Sequence, residues 1–73
     1  MTVEVRLFAT LRLGRFKKKE MTFESVTPRD ILNDLEIEIE DVAILLVNGR
    51  DGDFDQSLKN GDTLSVFPPV GGG

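Results

Sequence analysis

The chain opens on a strict alternation. From Thr2 to Phe8 the order is Thr-Val-Glu-Val-Arg-Leu-Phe, with Val3, Val5 and Leu7 on one face and Glu4, Arg6 and Phe8 on the other. A period of two predicts a strand with one buried face. Leu11 to Arg15, with Gly14, breaks the pattern and predicts a loop. Alternation resumes from Lys19 to Glu24, with Met21 and Phe23 inward and Glu20, Thr22 and Glu24 outward, which predicts a second strand in a hairpin with the first. Thr27-Pro28-Arg29-Asp30 then reads as a helix start. Thr27 is a good N-cap, Pro28 has its φ preset for the first helical position, and Asp30 suits the positive end of the first turn. Ile31, Leu32 and Leu35 give this short helix its apolar stripe.

Glu36-Ile37-Glu38-Ile39-Glu40 fits two readings, a strand by its alternation or a loop pinned by two isoleucines. Ala43 to Val47 is a continuous apolar run closed by Asn48-Gly49, predicting a well-buried strand and a tight turn. Asp51 to Asn60 reads as mostly irregular, anchored by Phe54 and Leu58, and Asn60-Gly61-Asp62 as a turn. Thr63 to Phe67 forms the final strand, Leu64 and Val66 inward, Ser65 and Phe67 outward. The order of elements predicts an α+β domain, a mixed four- to five-stranded sheet packed on one main helix.

Seventy-three residues, 40% hydrophobic and 30% charged, make one small globular domain. No apolar run approaches the roughly 18 residues that a membrane span needs, so no membrane is expected. Met1-Thr2-Val3-Glu4-Val5 lacks the features of a secretory signal, and the expected compartment is the cytoplasm. There is no cysteine and no histidine. That removes disulfides, thiol catalysis, the usual metal ligands and the usual neutral-pH general base, so no metal site and no independent enzyme are expected. The net charge of −4 conceals an asymmetry: six of the nine basic residues lie in the first nineteen (Arg6, Arg12, Arg15, Lys17, Lys18, Lys19), while Asp34 to Asp55 is strongly acidic. Overall acidity and the lack of Tyr and Trp argue against nucleic acid as partner. Lys17-Lys18-Lys19 reads as a solvated guard on a hairpin or edge strand. Asp51-Gly52-Asp53-Phe54-Asp55 has part of a calcium-loop pattern, spoiled by Phe54 and by the missing closing Glu.

Pro68-Pro69-Val70-Gly71-Gly72-Gly73 follows the last strand. Two prolines fix φ, remove two N–H donors and stop the strand, and three glycines lack the Cβ that would bar a narrow channel. The expectation is a domain over residues 1–67 and a flexible tail over 68–73, able to reach roughly 20 Å when extended. Its distinctive group is the α-carboxylate of Gly73.

Four segments in order, Val5-Arg6-Leu7-Phe8-Ala9-Thr10-Leu11-Arg12, Leu46-Val47-Asn48-Gly49, Leu58-Lys59-Asn60-Gly61-Asp62 and Phe67-Pro68-Pro69-Val70 running into the glycines, resemble the β-grasp sulfur carriers of the MoaD/ThiS family, related to ubiquitin. The first and last of these look more like MoaD, the small subunit of molybdopterin synthase, than ThiS. Gly71 departs from the different small or polar residue that many MoaD members carry there; Gly72-Gly73 is intact. The resemblance implies that an ATP-using, MoeB/ThiF-like adenylyltransferase of the ubiquitin-activating type adenylates the Gly73 carboxylate. A sulfur donor protein then leaves a C-terminal thiocarboxylate, delivered to an acceptor synthase, either a MoaE-like large subunit or a thiazole synthase. No cofactor is expected on the chain itself. The alternatives are ThiS-like donation for thiamine thiazole synthesis and a ubiquitin-like modifier conjugated through Gly73. In a β-grasp sheet the first and last strands lie adjacent and parallel, which would bring Phe8 and Phe67 together on the face away from the helix, with Arg6 and Arg12 flanking them. The expected partner surface is therefore Phe8, Arg6, Arg12 and Phe67, continued by Pro68, Pro69, Val70 and Gly71, with Gly72 and Gly73 as the reacting end.

Overall fold

The computed structural model of the chain describes residues 1–69. Strands β1 (Thr2–Leu7), β2 (Lys18–Thr22), β3 (Ile44–Val47), β4 (Arg50–Asp51) and β5 (Thr63–Phe67) form one sheet in the order β2-β1-β5-β3-β4, and helix α1 (Pro28–Asp34) packs against it. β1 and β5 run parallel; the other pairings are antiparallel. This is the α+β, β-grasp arrangement that the order of elements and the resemblance predict.

Register explains the core. Val5 lies beside Leu64 and Leu7 beside Val66 in the parallel pair, and β3 sets Val47 beside Leu64 and Leu45 beside Val66. Laterally paired residues share a face, so two apolar rows cross the sheet, Val5–Leu64–Val47 and Leu7–Val66–Leu45. Ile31 and Leu32 of α1 belong to the same core, with Val26, Ile37, Leu58 and Leu11 at its margins, and none of these residues is more than 8% exposed.

A helix of seven residues is too short to hold itself, so its ends are built. The Thr27 hydroxyl accepts from the Asp30 N–H and the Asp30 carboxylate accepts from the Thr27 N–H, a closed capping box with Pro28 in the first turn. At the other end Arg15 reaches in from the loop after β1, donating from Nε to the Leu35 carbonyl and from Nη2 to that of Glu36. These carbonyls would otherwise lack intrahelical partners.

Several segments differ from the sequence expectation. Ala43 to Val47 is not buried throughout: Ile44 is 46% exposed and Leu46 half-buried, because burial alternates along β3. A continuous apolar run does not say whether both faces of a strand are covered. The loop over Leu11 to Arg15 begins as a 3-10 turn over Ala9–Arg12, entered through Ala9 at φ 52°, which drops Leu11 into the core. Glu36 to Glu40 takes the loop reading, with Ile37 buried and a 3-10 turn over Ile39–Asp41. The second strand starts at Lys18 and ends at Thr22; Phe23, just beyond it, exchanges hydrogen bonds with Met1. Asp51 joins Arg50 in the short β4, across an Asn48-Gly49 turn whose φ angles are 54° and 81°. Two positive φ values in a two-residue hairpin match the right-handed strand twist, and Asn-Gly accepts them at least cost. β2 lies at the sheet edge, where the lysines were expected to stand guard. Of the expected tail, Pro68 and Pro69 lie in no strand or helix, and Val70 to Gly73 lie outside the described residues.

One polar node joins the turns at the far end of the sheet. Asp62 accepts from the Lys59 N–H at 2.8 Å and from Asn48 Nδ2 at 2.9 Å, while Asn48 Oδ1 accepts from the Thr63 N–H at 2.9 Å. The Lys59 N–H, and secondarily Asn48, hold the Asp62 carboxyl below its ordinary range. Elsewhere Asp55, within the aspartate-rich segment, accepts from Arg29 Nε at 2.7 Å and Nη2 at 3.1 Å, and this hydrogen bonding lowers its pKa too.

Two predictions follow from these anchors. Thr27→Ala should lower stability by about 1 kcal/mol, a fall in Tm of about 4–8 °C by thermal unfolding. Asp62 is depressed in the folded state, so its contribution is present above the unfolded carboxylate pKa of about 3.9 and lost as pH falls through the folded value. Wild-type Tm should therefore drop below about pH 4, and Asp62→Ala should melt lower at neutral pH with a flatter acid limb; an unchanged acid limb would refute the assignment.

Candidate functional site

β5 sits between β1 and β3, so the last strand residue is held from both sides. The Phe8 N–H donates to the Val66 carbonyl at 3.2 Å, and the Ala43 N–H to the Phe67 carbonyl at 2.8 Å. Pro68 and Pro69 have no N–H to continue either ladder. The sheet therefore ends at Phe67, and the chain leaves from its interior rather than from an edge.

The parallel register continues one residue past Leu7 and Val66, which brings Phe8 and Phe67 side by side on the face without the helix. Their rings stack with centroids 4.1 Å apart and planes 10° from parallel. Such aromatic pairs add about 0.5–1.5 kcal/mol beyond the area they bury. The Arg12 guanidinium lies 5.3 Å from the Phe8 centroid and is fixed by donation from Nε to the Leu7 carbonyl at 2.7 Å. Arg6 sits on the same face and pairs with Glu4. Of the residues expected to form a partner surface, Phe8, Phe67 and Arg12 are in direct contact and Arg6 is close by. Pro68 and Pro69 turn toward the other side, where with Thr10, Leu11, Arg15, Ile37 and Asp41 they line an open concavity of about 390 Å³. Val70, Gly71, Gly72 and Gly73 lie outside the described residues.

Sequence reading missed Ile44. It pairs with Phe67 across β3 and β5, so Phe8, Phe67 and Ile44 form a third cross-sheet row, apolar, with Ile44 exposed and the two phenylalanines half-buried. The continuous apolar run over Ala43 to Val47 carries no alternation that would have singled it out. The side chains gathered here are aromatic, aliphatic, proline and cationic, with no thiol or imidazole anywhere in the chain. Among the described residues no three His, Cys, Asp or Glu side chains converge as a metal site, and no helix is long and apolar enough to cross a membrane. The arrangement presents a surface and an exit for the chain.

Similarity to known proteins agrees with this geometry. A solved structure, the putative molybdopterin converting factor subunit 1 of Pyrococcus furiosus, superposes with a TM-score of 0.78 at 32% identity, covering 96% of this chain and 99% of that one. A chain from the complex of subunits 1 and 2 of the molybdopterin-converting factor of Helicobacter pylori superposes with a TM-score of 0.67 at 28% identity over the full length of both chains. Small archaeal modifier protein 3 of Haloferax volcanii is 34% identical in an alignment of 93 positions that spans all of both chains. The model of the ThiS family matches residues 5–73, nearly the whole chain. The chain belongs to the ThiS family.

Proposed function

We propose that this chain is a sulfur carrier that works through the Gly73 carboxylate and serves molybdopterin synthesis. The observation that carries the reading is the Phe8–Phe67 stack at the point where β5 hands over to Pro68 and Pro69, in a member of the ThiS family whose match runs through Gly72 and Gly73. A partly exposed apolar row beside a chain exit is what a partner needs in order to hold the domain while it works on the end. Likeness to molybdopterin converting factor subunits favours that acceptor over a thiazole synthase.

The chemistry needs groups that this chain does not carry. A carboxylate resists sulfur nucleophiles, so the Gly73 carboxylate oxygen attacks the α-phosphorus of ATP on an activating adenylyltransferase, releasing pyrophosphate and leaving an acyl-adenylate. A donor protein's persulfide attacks the acyl carbon through its terminal sulfur and expels AMP, giving an acyl disulfide. A partner's thiol then attacks the donor's sulfur, forms a disulfide with it and releases the Gly73 thiocarboxylate. ATP belongs to the activating partner, and the acceptor is a synthase whose large subunit binds this chain as its small one. Phe8, Phe67, Arg6 and Arg12 supply the contact, Pro68 and Pro69 the exit, and Val70, Gly71 and Gly72 a slim lead to Gly73.

A second reading is favoured by the Haloferax relative, whose description as a modifier points to conjugation of Gly73 to lysines of other proteins. Mass spectrometry separates the two. The carrier shows a terminal oxygen-to-sulfur exchange, whereas the modifier leaves branched Gly-Gly remnants on other proteins.

Deleting Gly73, or adding Ala after it, should abolish thiocarboxylation with Tm unchanged; retained thiocarboxylation would refute the role of the terminal carboxylate. Phe67→Ala should lower Tm by several degrees through loss of the stack, and should raise the Kd for the activating enzyme by about 30-fold, the effect of a hot-spot aromatic. A Kd that stays within error, measured by calorimetry on the folded variant, would remove Phe67 from the interface.

A further inference from the structure

On the open face, beside the aromatic stack, Arg6, Phe8, Arg12, Lys17 and Lys18 line a concavity of about 400 Å³. Among the described residues only Arg6 has a carboxylate partner there, Glu4. A concentration of cations is unexpected on a chain of net charge −4.

The strand register sharpens the point. Arg6 stands directly opposite Lys18 and Glu4 directly opposite Glu20. Met1 and Phe23 exchange hydrogen bonds, and the Leu7 N–H donates to the Lys17 carbonyl. These bonds put the hydrogen-bonded pairs at odd positions of β1, so Arg6–Lys18 and Glu4–Glu20 are the other kind, whose side chains lie closer together. Like charges directly opposite one another destabilise a sheet. Exchanging Lys18 and Glu20 would turn two repulsive pairs into two attractive ones with no change in composition. An edge guard does not require this sorting, since charge of either sign blocks edge-to-edge pairing. The sorting gathers positive charge at the Phe8 end of the face and negative charge at the Thr2 end.

We propose that this concavity is a docking site for an acidic segment of a protein partner, with Arg12, Lys17 and Lys18 taking its carboxylates and Arg6 completing the cationic wall. Phe8 belongs both to the concavity and to the stack on Phe67, so the acidic contact adjoins the apolar one. A partner carrying acid next to an apolar patch is repelled by most of this surface and drawn to one end of it, which orients the encounter. Nucleic acid fits poorly, because Phe8 is the lone ring in the concavity and the remaining surface is acidic.

Only the choice of partner rests on the proposed function, and the test is built accordingly. Lys18→Glu should raise Tm by a few degrees, because Arg6 gains an opposite charge. The same variant should raise the KM for this chain in ATP–pyrophosphate exchange by the activating adenylyltransferase about tenfold, with kcat unchanged. Lys59→Glu, the same charge change outside the concavity, should leave KM within error. A partner-free arm titrates hexaglutamate into the labelled protein. Amide shifts at Arg12, Lys17 and Lys18 are expected, absent in Lys18→Glu and suppressed at about 1 M salt, where the screening length is about 3 Å. Wild-type KM in Lys18→Glu, a lowered Tm, or no hexaglutamate shifts would each overturn the proposal. Equal shifts with inorganic phosphate at the same concentration would overturn it in favour of a small-anion site. Absence of exchange with the wild-type chain would count against the carrier reading, while the hexaglutamate arm still decides this one.

Discussion

The pairing of β1 with β5 is the constraint on which the rest of the molecule depends. It joins the beginning of the chain to its last strand, in parallel, at the middle of the sheet. A parallel ladder keeps both strands in the same phase along their shared direction, so one register fixes both faces at once. Leu7 and Val66 meet under the helix, and one residue later Phe8 and Phe67 meet on the other side. A slip of one residue would exchange the faces, burying the phenylalanines and exposing the core. Closing so long a loop is costly in entropy, and contacts of that separation slow folding. The gain is a chain end anchored from both flanks.

The local devices make sense against that central pair. A domain this small has little core to spend, and this one leaves Ile44, Leu46 and the two phenylalanines on a face without a helix. What compensates lies at the termini of elements: the capping box of α1, Arg15 on the last carbonyls of that helix, and the Asn48–Asp62 node that joins two turns. Each closes an end where backbone groups would otherwise go unpaired. None lies on the open face. The devices that close the ends of elements therefore stand apart from the Phe8–Phe67 stack, which adds its own increment of stability on the face without a helix.

Much of this was legible in the chain. Alternation in Thr2–Phe8 and Thr63–Phe67 gave both strands with the right phase, and Thr27-Pro28-Arg29-Asp30 gave the helix start, because capping chemistry is local. The contact between Phe8 and Phe67 needed one more premise, that the two strands are neighbours, which came from the family resemblance. Failures occurred where burial depends on what lies across space. Nothing local in Ala43–Val47 reveals that one face of β3 is bare. The turn over Ala9–Arg12 rests on a positive φ at Ala9, a conformation that alanine does not advertise, and β4 is too short to leave a pattern. The sorting of charge across β1 and β2 was also hidden, since it exists only once the register is known.

A carrier that is loaded by one enzyme and unloaded by another must leave the first to reach the second. On the proposed carrier reading, with the open face as the contact surface, that face suits the requirement. Its apolar row is a few side chains wide, small beside the interfaces of permanent complexes, and small interfaces belong to transient encounters. Rim charges act mainly on the rate and orientation of association, while affinity differences between related complexes lie mostly in dissociation. A face whose apolar part is small and whose cations steer can be found quickly without being held for long. The Phe8–Phe67 stack stands where both contributions meet, one ring under Arg12 and the other on the strand that leads to the chain's exit. Enlarging the apolar row would add stability to any one complex and, in the same measure, slow the exchange on which a carrier depends.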